Sequence, residues 1–139
     1  MDILGFEDKT NLEEGVWVKE FPFLGLDGVE FHIRSANYKP YTRARDALYR
    51  AAALSDDPAK QDAIMTVIAA PAIADHLLIN WKGITLGGKE AKFSPDLATK
   101  LLTAEDSHGV GDRFRMAVTW ASDKVASDLL AKVGEVAKN

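Results

Sequence analysis

The sequence lacks cysteine entirely, which excludes a disulfide scaffold and any metal or nucleophile chemistry that depends on a thiolate. Positive charge is also in short supply: 17 lysines and arginines stand against 21 aspartates and glutamates, for a net charge of −4. No overall field therefore attracts nucleic acid or an anionic membrane. Long apolar runs are missing too. The stretch 64–79 is interrupted by Thr66, Pro71, Asp75 and His76 and is shorter than the roughly 20 apolar residues that span a bilayer.

The N-terminus lacks the features of a signal peptide. The first eight residues, MDILGFED, carry three acidic side chains and no basic one. A secretory signal would begin with a basic region followed by an apolar run. We therefore expect a soluble protein that stays in the cytoplasm and has no membrane partner.

Recognisable catalytic motifs are absent as well. The histidines His32, His76 and His108 stand in no metal-ligand spacing, so a site would need ligands gathered from distant segments. There is no Gly-x-Ser-x-Gly elbow, and the stretch 83–88 lacks the Lys-Ser/Thr ending of a phosphate-binding loop. We expect no enzyme activity, no metal and no cofactor.

The apolar content suffices for one folded domain, because 47% of the 139 residues are hydrophobic. We expect residues 1–139 to form a single domain with three parts: an acidic arm over 1–14, a β-hairpin over 15–34 and a helical region over 38–136. The predicted fold class is α+β, predominantly α, a helical domain with an N-terminal β-hairpin.

A period of two marks the predicted hairpin. Val29, Phe31 and Ile33 alternate with polar residues, which is typical of a strand with one buried face. The earlier run 16–21 is rich in β-branched and aromatic residues. The Asp-Gly dipeptide at 27–28 favours a tight turn, so we expect two antiparallel strands joined there.

Apolar residues recur at helical spacing after residue 38. Asp57 and Pro58 predict the cap and the first residue of a second helix. Pro71 removes a backbone donor, so we expect this second helix to kink or restart there. The apolar positions are Tyr41, Ala44, Leu48 and Ala52 in the first helix and Ala59, Ala63, Ile64, Val67 and Ile68 in the second.

Two further helices are predicted in the second half of the chain. Residues 81–88 indicate a loop, with room for a short extended piece and a Gly-Gly turn. Ser94 and Pro95 predict the start of a helix that ends near Thr103, and Asp112 is a candidate cap for the last helix. The apolar stripe of the last helix is Phe114, Ala117, Val118, Ala121, Val125, Leu129 and Val133.

A basic cluster lies on the first predicted helix. Arg43 and Arg50 are seven residues apart and share a helix face, and interleaved tyrosines suit nucleic acid. Asp46 dilutes the positive charge, and the net charge of −4 favours a solvated helix face or the rim of a site for an acidic protein. The cluster comprises Lys39, Arg43, Arg45 and Arg50, with Tyr38, Tyr41 and Tyr49.

Aromatic residues outside the apolar stripes are candidates for an exposed protein-binding surface. For each single residue, ordinary packing in the core is the alternative that we favour. These residues are Trp17, Phe21, Phe23, Trp81 and Trp120.

Residues 80–102 carry the most distinctive pattern in the chain. A Trp-x-Gly-Ile turn is followed by a further Gly, by Phe-Ser-Pro and by a helix that ends in Leu-Leu. This pattern resembles a segment typical of the tail assembly chaperones of long-tailed bacteriophages, and the rest of the chain resembles them loosely. The matching positions are Trp81, Gly83, Ile84, Gly88, Phe93, Ser94, Pro95, Ala98, Leu101 and Leu102.

The resemblance implies a non-catalytic protein of the host cytoplasm. Such proteins coat the hydrophobic, helical tape measure protein before the tail tube polymerises around it, and they help to recruit the major tail tube protein. Repeated copies along an extended partner make a homo-oligomer a further expectation. In many such families a programmed ribosomal frameshift also makes a longer form, and Ala137-Lys-Asn139 permits a slippery run in the gene.

Protein-binding residues follow from the resemblance and from the basic and aromatic candidates. Two alternatives stay open: another small virion morphogenesis factor, such as a connector or tail completion protein, and a small nucleic-acid-binding regulator that uses the helix over 38–50. The candidate protein-binding residues are Trp81, Gly83, Ile84, Phe93, Arg43, Arg50 and Trp120.

Overall fold

A computed structural model describes residues 13–23, 25–105 and 109–138. Over this part of the chain the fold is α+β and mostly helical, with a β-hairpin near the N-terminus, so the predicted fold class is confirmed. Residues 1–12, most of the predicted acidic arm, lie outside the described residues, as does His108.

The N-terminal hairpin consists of strands β1 (Val16–Val18) and β2 (Glu30–Ile33), which pair antiparallel. Val29, Phe31 and Ile33 are all buried, as their alternation predicts. The polar side chains between them are only partly exposed. The period of two therefore identifies the face of β2 that enters the core.

The turn before β2 lies at the predicted Asp27-Gly28 dipeptide. The Val29 N–H donates to the carbonyl of Leu26 at 3.1 Å, which closes the turn around these two residues. Gly28 has a φ of +78°, which glycine adopts without a Cβ clash. The predicted turn is confirmed.

A third strand joins the hairpin where the sequence predicts a loop. β3 (Leu78–Lys82) pairs antiparallel with β2, and a separate two-stranded hairpin follows, β4 (Thr85–Leu86) with β5 (Lys89–Glu90). Trp81 and Lys82 belong to β3, so the loop predicted from residue 81 is wrong at these two positions, because pairing with a strand distant in sequence supplies backbone hydrogen bonds and buries Trp81. The short extended piece and the Gly-Gly turn predicted within 81–88 are confirmed by β4 and by Gly87-Gly88, which connect β4 to β5. The region that we predict as helical therefore also contributes strands.

Helix α1 (Lys39–Ala53) forms where the helical spacing begins, and helix α2 (Pro58–Asp62) begins at the predicted cap. The Asp57 carboxylate accepts a hydrogen bond from the Ala59 N–H at 3.0 Å. This bond satisfies one of the donors that every helix leaves unpaired in its first turn.

The apolar face predicted from Ala59 onwards does not lie on one helix. Ala63 and Ile64 have extended backbones, with ψ of 143° and 150°. The Ile64 carbonyl accepts from the N–H groups three and four residues later and so begins helix α3 (Met65–Ile68). The continuous helix is wrong because this break turns the Ile64 side chain outward, where it is 54% exposed.

The restart predicted at Pro71 is confirmed. Pro71 lies in the first turn of helix α4 (Ala70–Ala72), where its missing N–H costs nothing. A π-helical turn, Ile73–Leu77, follows and leads directly into β3. The turn buries both Ile73 and Leu77 in the core.

The last two helices are α5 (Pro95–Leu102) and α6 (Val110–Lys138). Ser94 caps α5 as predicted, since its hydroxyl accepts from the Leu97 N–H at 3.1 Å. Asp112 is not the cap of α6, because it lies inside the first turn and pairs with a later side chain. In the predicted stripe of α6 the side chain of Val133 is outside the described part, Leu129 is half-buried, and the buried members are Phe114, Ala117, Val118, Ala121 and Val125.

The core lies between the inner face of the sheet and the buried stripe of α6. Phe31 of β2 meets Phe114 of α6 edge-on, with ring centroids 5.5 Å apart. Leu77 of the π-helical turn and Leu102 of α5 are also fully buried. The sheet, α5 and α6 thus share one apolar core.

Candidate protein-binding surface

Trp81, the first residue of the Trp-x-Gly turn, is a core residue. Its side chain is 4% exposed and meets the rings of Phe93 and Phe114 edge-on, at centroid distances of 5.0 and 5.9 Å. Its indole N–H donates to the carbonyl of Ala91 at 2.7 Å, so the polar atom of the ring is paired. Trp81 therefore packs in the core, which is the alternative that the sequence analysis favours.

A glycine is required at position 83 because the turn after β3 lies very close to the turn before β2. It has a φ of +81°, and a Cβ at this position would overlap the carbonyl of Gly28 in the hairpin turn. Ile84 next to it is half-buried, and its carbonyl accepts from the Ala91 N–H at 2.8 Å. The residues of this motif hold the turn after β3 against the N-terminal hairpin.

One of the four basic residues of the cluster on α1, Arg45, contacts other side chains of the same helix. The Arg45 guanidinium lies 5.6 Å from the ring centroid of Tyr41 and 5.7 Å from that of Tyr49, and it pairs with Asp46 at 3.1 Å. Burial raises the pKa of the Tyr41 phenol above its ordinary value of 10.0. By contrast, the side chains of Arg43, Arg50 and Lys39 are exposed.

Trp120 lies on α6 beneath the loop that joins β1 to β2. Phe21 and Phe23 of this loop approach its ring, with centroid distances of 5.5 and 6.3 Å. These contacts cover only part of the indole, and Trp120 remains half-buried.

The uncovered side of Trp120 forms part of a shallow groove of about 550 Å³. Ile64, turned outward by the break before α3, and Met116, one helical turn before Trp120, are 54% and 52% exposed. We call this the Trp120 groove; its apolar residues are Phe23, Ile64, Met116 and Trp120.

Carboxylates line the edge of the Trp120 groove. Asp112 and Asp123 both have exposed side chains beside it. The guanidinium of Arg115 also borders the groove. It donates a hydrogen bond to the carbonyl of Leu102 at 2.7 Å and forms an ion pair with Asp112. It thereby caps the C-terminal end of α5. The groove thus has an apolar floor, and its edge carries the Asp112–Arg115 ion pair and the carboxylate of Asp123.

The candidate residues from the sequence fall into three separate places. Trp81, Gly83, Ile84 and Phe93 lie in the segment from β3 to α5, Arg43 and Arg50 lie on α1, and Trp120 lies on α6.

The sequence did not single out Ile64 and Met116 as exposed groove residues. Met116 carries a signal, because it is an apolar side chain outside the buried stripe of α6. Ile64 carries none, because its exposure depends on a break that the apolar spacing does not predict.

Neither a metal-binding cluster nor a membrane-spanning helix is found among the described residues. Within 13–23, 25–105 and 109–138, no group of three or more histidine, aspartate or glutamate side chains is placed to hold a metal ion. Over the same residues, no helix combines the length and the apolar character needed to cross a membrane.

Comparison with known proteins places the chain in a phage family. No curated protein sequence and no solved structure matches it. The model of the YdaY prophage protein family matches residues 36–139, which covers α1 to α6 and leaves out the hairpin strands β1 and β2. Because this match extends over most of the sequence, the chain belongs to the YdaY prophage protein family and is of phage origin.

Proposed function

We propose that this chain is a phage tail assembly chaperone that binds the tape measure protein in the host cytoplasm. It acts by protein binding and not by catalysis. The observation that carries the proposal is the Trp120 groove, where exposed apolar side chains from separate elements line one depression in the surface. Membership of a prophage protein family and the resemblance of residues 80–102 to tail assembly chaperones support it.

The groove suits one face of an amphipathic or hydrophobic helix. Such a helix places apolar side chains three and four residues apart, and these would cover Ile64, Met116 and the free side of Trp120. Burying apolar surface gives about 25 cal/mol per Å², so modest coverage by each of several copies would keep a long helical partner soluble. Asp123 at the edge favours helices with a basic residue beside the apolar face, since the carboxylate of Asp112 is already paired with Arg115.

Co-expression with the tape measure protein of the same prophage tests this proposal. We expect the unaltered chain to keep the tape measure protein soluble and to co-purify with it. Met116→Asp should reduce both, because it places a charge on the floor of the groove. Leu130→Asp is the matched control, since Leu130 is 65% exposed on the same helix and is not part of the groove.

A tape measure protein that stays insoluble and unbound beside the unaltered chain would contradict the proposal. Equal losses with Met116→Asp and Leu130→Asp would leave chaperone activity standing but remove the groove as its site. Recruitment of the major tail tube protein is part of the same proposal. It predicts that a ternary complex forms when the tube protein is added to the co-purified pair.

The alternatives make different predictions. A connector or tail completion protein remains in the finished particle, so mass spectrometry of purified virions would detect it in stoichiometric amounts, whereas an assembly chaperone should be absent or scarce. A nucleic-acid-binding regulator would lose salt-dependent DNA binding when Arg43 and Arg50 are reversed to glutamate. No salt-dependent binding by the unaltered chain would eliminate that alternative.

Self-association and a longer form complete the proposal. Several copies along one tape measure protein predict a complex whose mass corresponds to many chains per partner. The frameshifted form predicts a slippery run at the codons for 137–139 and an open overlapping frame beyond. The nucleotide sequence of the gene tests this directly, and its failure would leave the binding proposal unchanged.

A further inference from the structure

A second groove, of about 450 Å³, lies between helix α1 and the segment that contains α2 and α3. It is a different surface from the Trp120 groove, because no described residue lines both. Small and aliphatic side chains form most of its walls, so the groove can receive an aliphatic side chain. We call this the α1–α3 groove; its apolar lining includes Leu48, Ala51 and Ala52 from α1, and Ala59, Ala63 and Val67 from the opposite side.

Leu54 lies at the end of α1, next to this groove. It is 84% exposed, the highest value among the large apolar side chains that the structure describes. Leu54 is the C-cap residue of α1 and keeps helical backbone angles, so it follows Ala51 of the groove wall by one helical turn. One surface of the chain thus presents both an exposed leucine and an apolar groove that a leucine can fill.

The charges beside Leu54 are complementary to those beside the groove. Arg50, four residues before Leu54 on the same face of α1, is exposed, and so is Asp56, two residues after it. The groove is bordered by Glu105 and Lys60, which are exposed as well. Within the described residues none of these four charged side chains forms an ion pair. A second copy of the chain can therefore pair Arg50 with Glu105 and Asp56 with Lys60.

We propose that two copies of this chain associate by placing Leu54 of each copy in the α1–α3 groove of the other. Because the leucine and the groove are neighbours on one chain, a two-fold axis satisfies both contacts at once and closes the assembly as a dimer. Arg50 of each copy then lies next to Glu105 of the other. The contact is small, so the dimer is weak and its formation depends on concentration.

A second copy is the occupant that these observations favour. It fills the groove and covers Leu54 in one contact, whereas a helix of another protein in the groove would need a cavity of its own to cover Leu54. The contact specifies a surface for the self-association that the proposed function includes. It does not require the tape measure protein, because the Trp120 groove is lined by other residues.

Sedimentation equilibrium of the purified full-length chain, at concentrations up to about 1 mM, tests the inference, since small interfaces dissociate in the upper part of this range. We expect a monomer–dimer equilibrium whose dissociation constant rises at least tenfold in Leu54→Asp. Leu130→Asp is the matched control, because Leu130 is also an exposed leucine on a helix and does not line the groove. A chain that stays monomeric at the highest concentration, or equal losses with the two variants, would overturn the proposal.

Mixing two charge-reversed variants identifies the surfaces that meet. Glu105→Arg and Arg50→Glu should each dimerise poorly alone, because like charges face each other in both contacts of the dimer. An equal mixture of the two should dimerise nearly as well as the unaltered chain, since each contact then joins opposite charges. Glu90→Arg is the matched control for Glu105→Arg, because Glu90 is exposed and does not border the groove.

No recovery in the mixture of Glu105→Arg and Arg50→Glu would contradict the proposal, as would equal recovery when Glu90→Arg replaces Glu105→Arg. Both measurements use the chain without the tape measure protein. Their failure would therefore leave the proposed role of the Trp120 groove standing, and the failure of that role would leave the dimer standing.

Discussion

Trp81 and Trp120 lie in two regions that differ in what surrounds the indole. Around Trp81 the packing is closed, because two aromatic rings cover the side chain and a backbone carbonyl accepts from its N–H. Around Trp120 the packing is open on one side, where Met116 and Ile64 are half-exposed. Trp81, which belongs to the segment that resembles a phage protein family, thus packs in the core of the domain. The exposed apolar surface lies around Trp120.

Trp81→Ala should have the largest effect on stability. Removing a fully packed tryptophan leaves a cavity and an unpaired carbonyl at Ala91, so we expect a loss of about 3–5 kcal/mol in the free energy of unfolding. Urea denaturation followed by circular dichroism measures it. A loss below about 1 kcal/mol would mean that the closed packing around Trp81 is not a main source of stability.

Gly83→Ala should come next. A methyl group would meet the Gly28 carbonyl in addition to straining the positive φ, and we expect a loss of about 2 kcal/mol. Gly88→Ala is the matched control, because Gly88 has a φ of +78° and no atom lies within 4 Å of the position that a Cβ would take there. We expect about 1 kcal/mol for this control. Equal losses in the same urea experiment would show that the approach of the two turns contributes nothing.

Ser94→Ala should have a smaller effect, about 1 kcal/mol, because it removes the acceptor for the Leu97 N–H at the start of α5. Ser94→Asp should restore most of the loss, since its carboxylate can accept the same bond. Thermal melting of the three proteins provides the comparison. If the aspartate variant melts no higher than the alanine variant, Ser94 does not stabilise the chain as a helix cap.

Met116→Asp should have the smallest effect on the free chain. The side chain is half-exposed, so the free energy of unfolding should change by about 0.5 kcal/mol or less while binding of the tape measure protein is reduced. Urea denaturation of the purified variant measures the first and co-purification the second. A large loss of stability would mean that Met116 contributes to the packing of the core, and it would remove the contrast with Trp81.

Features set by neighbouring residues could be predicted from the sequence. The alternation in β2, the Asp27-Gly28 turn and the caps at Asp57 and Ser94 each depend on residues within a few positions, and all four are confirmed. β3 could not be predicted, because its pairing partner β2 lies more than forty residues earlier in the chain.

The same limit applies to the candidate surface. Trp120 could be proposed from its position outside the apolar stripe, but the exposure of Ile64 depends on a backbone break that no local pattern marks. For Trp81 the sequence left an exposed surface and core packing open, and burial against α6 decides between them.

The oxidation of Met116 by dilute peroxide tests the central claim most directly, because it needs no mutation. The rate of sulfoxide formation at this residue should be measured by mass spectrometry in the free chain and in its purified complex with the tape measure protein. Coverage of the Trp120 groove predicts a severalfold slower reaction at Met116 in the complex. The same rate in both samples would contradict the assignment of this groove as the binding surface.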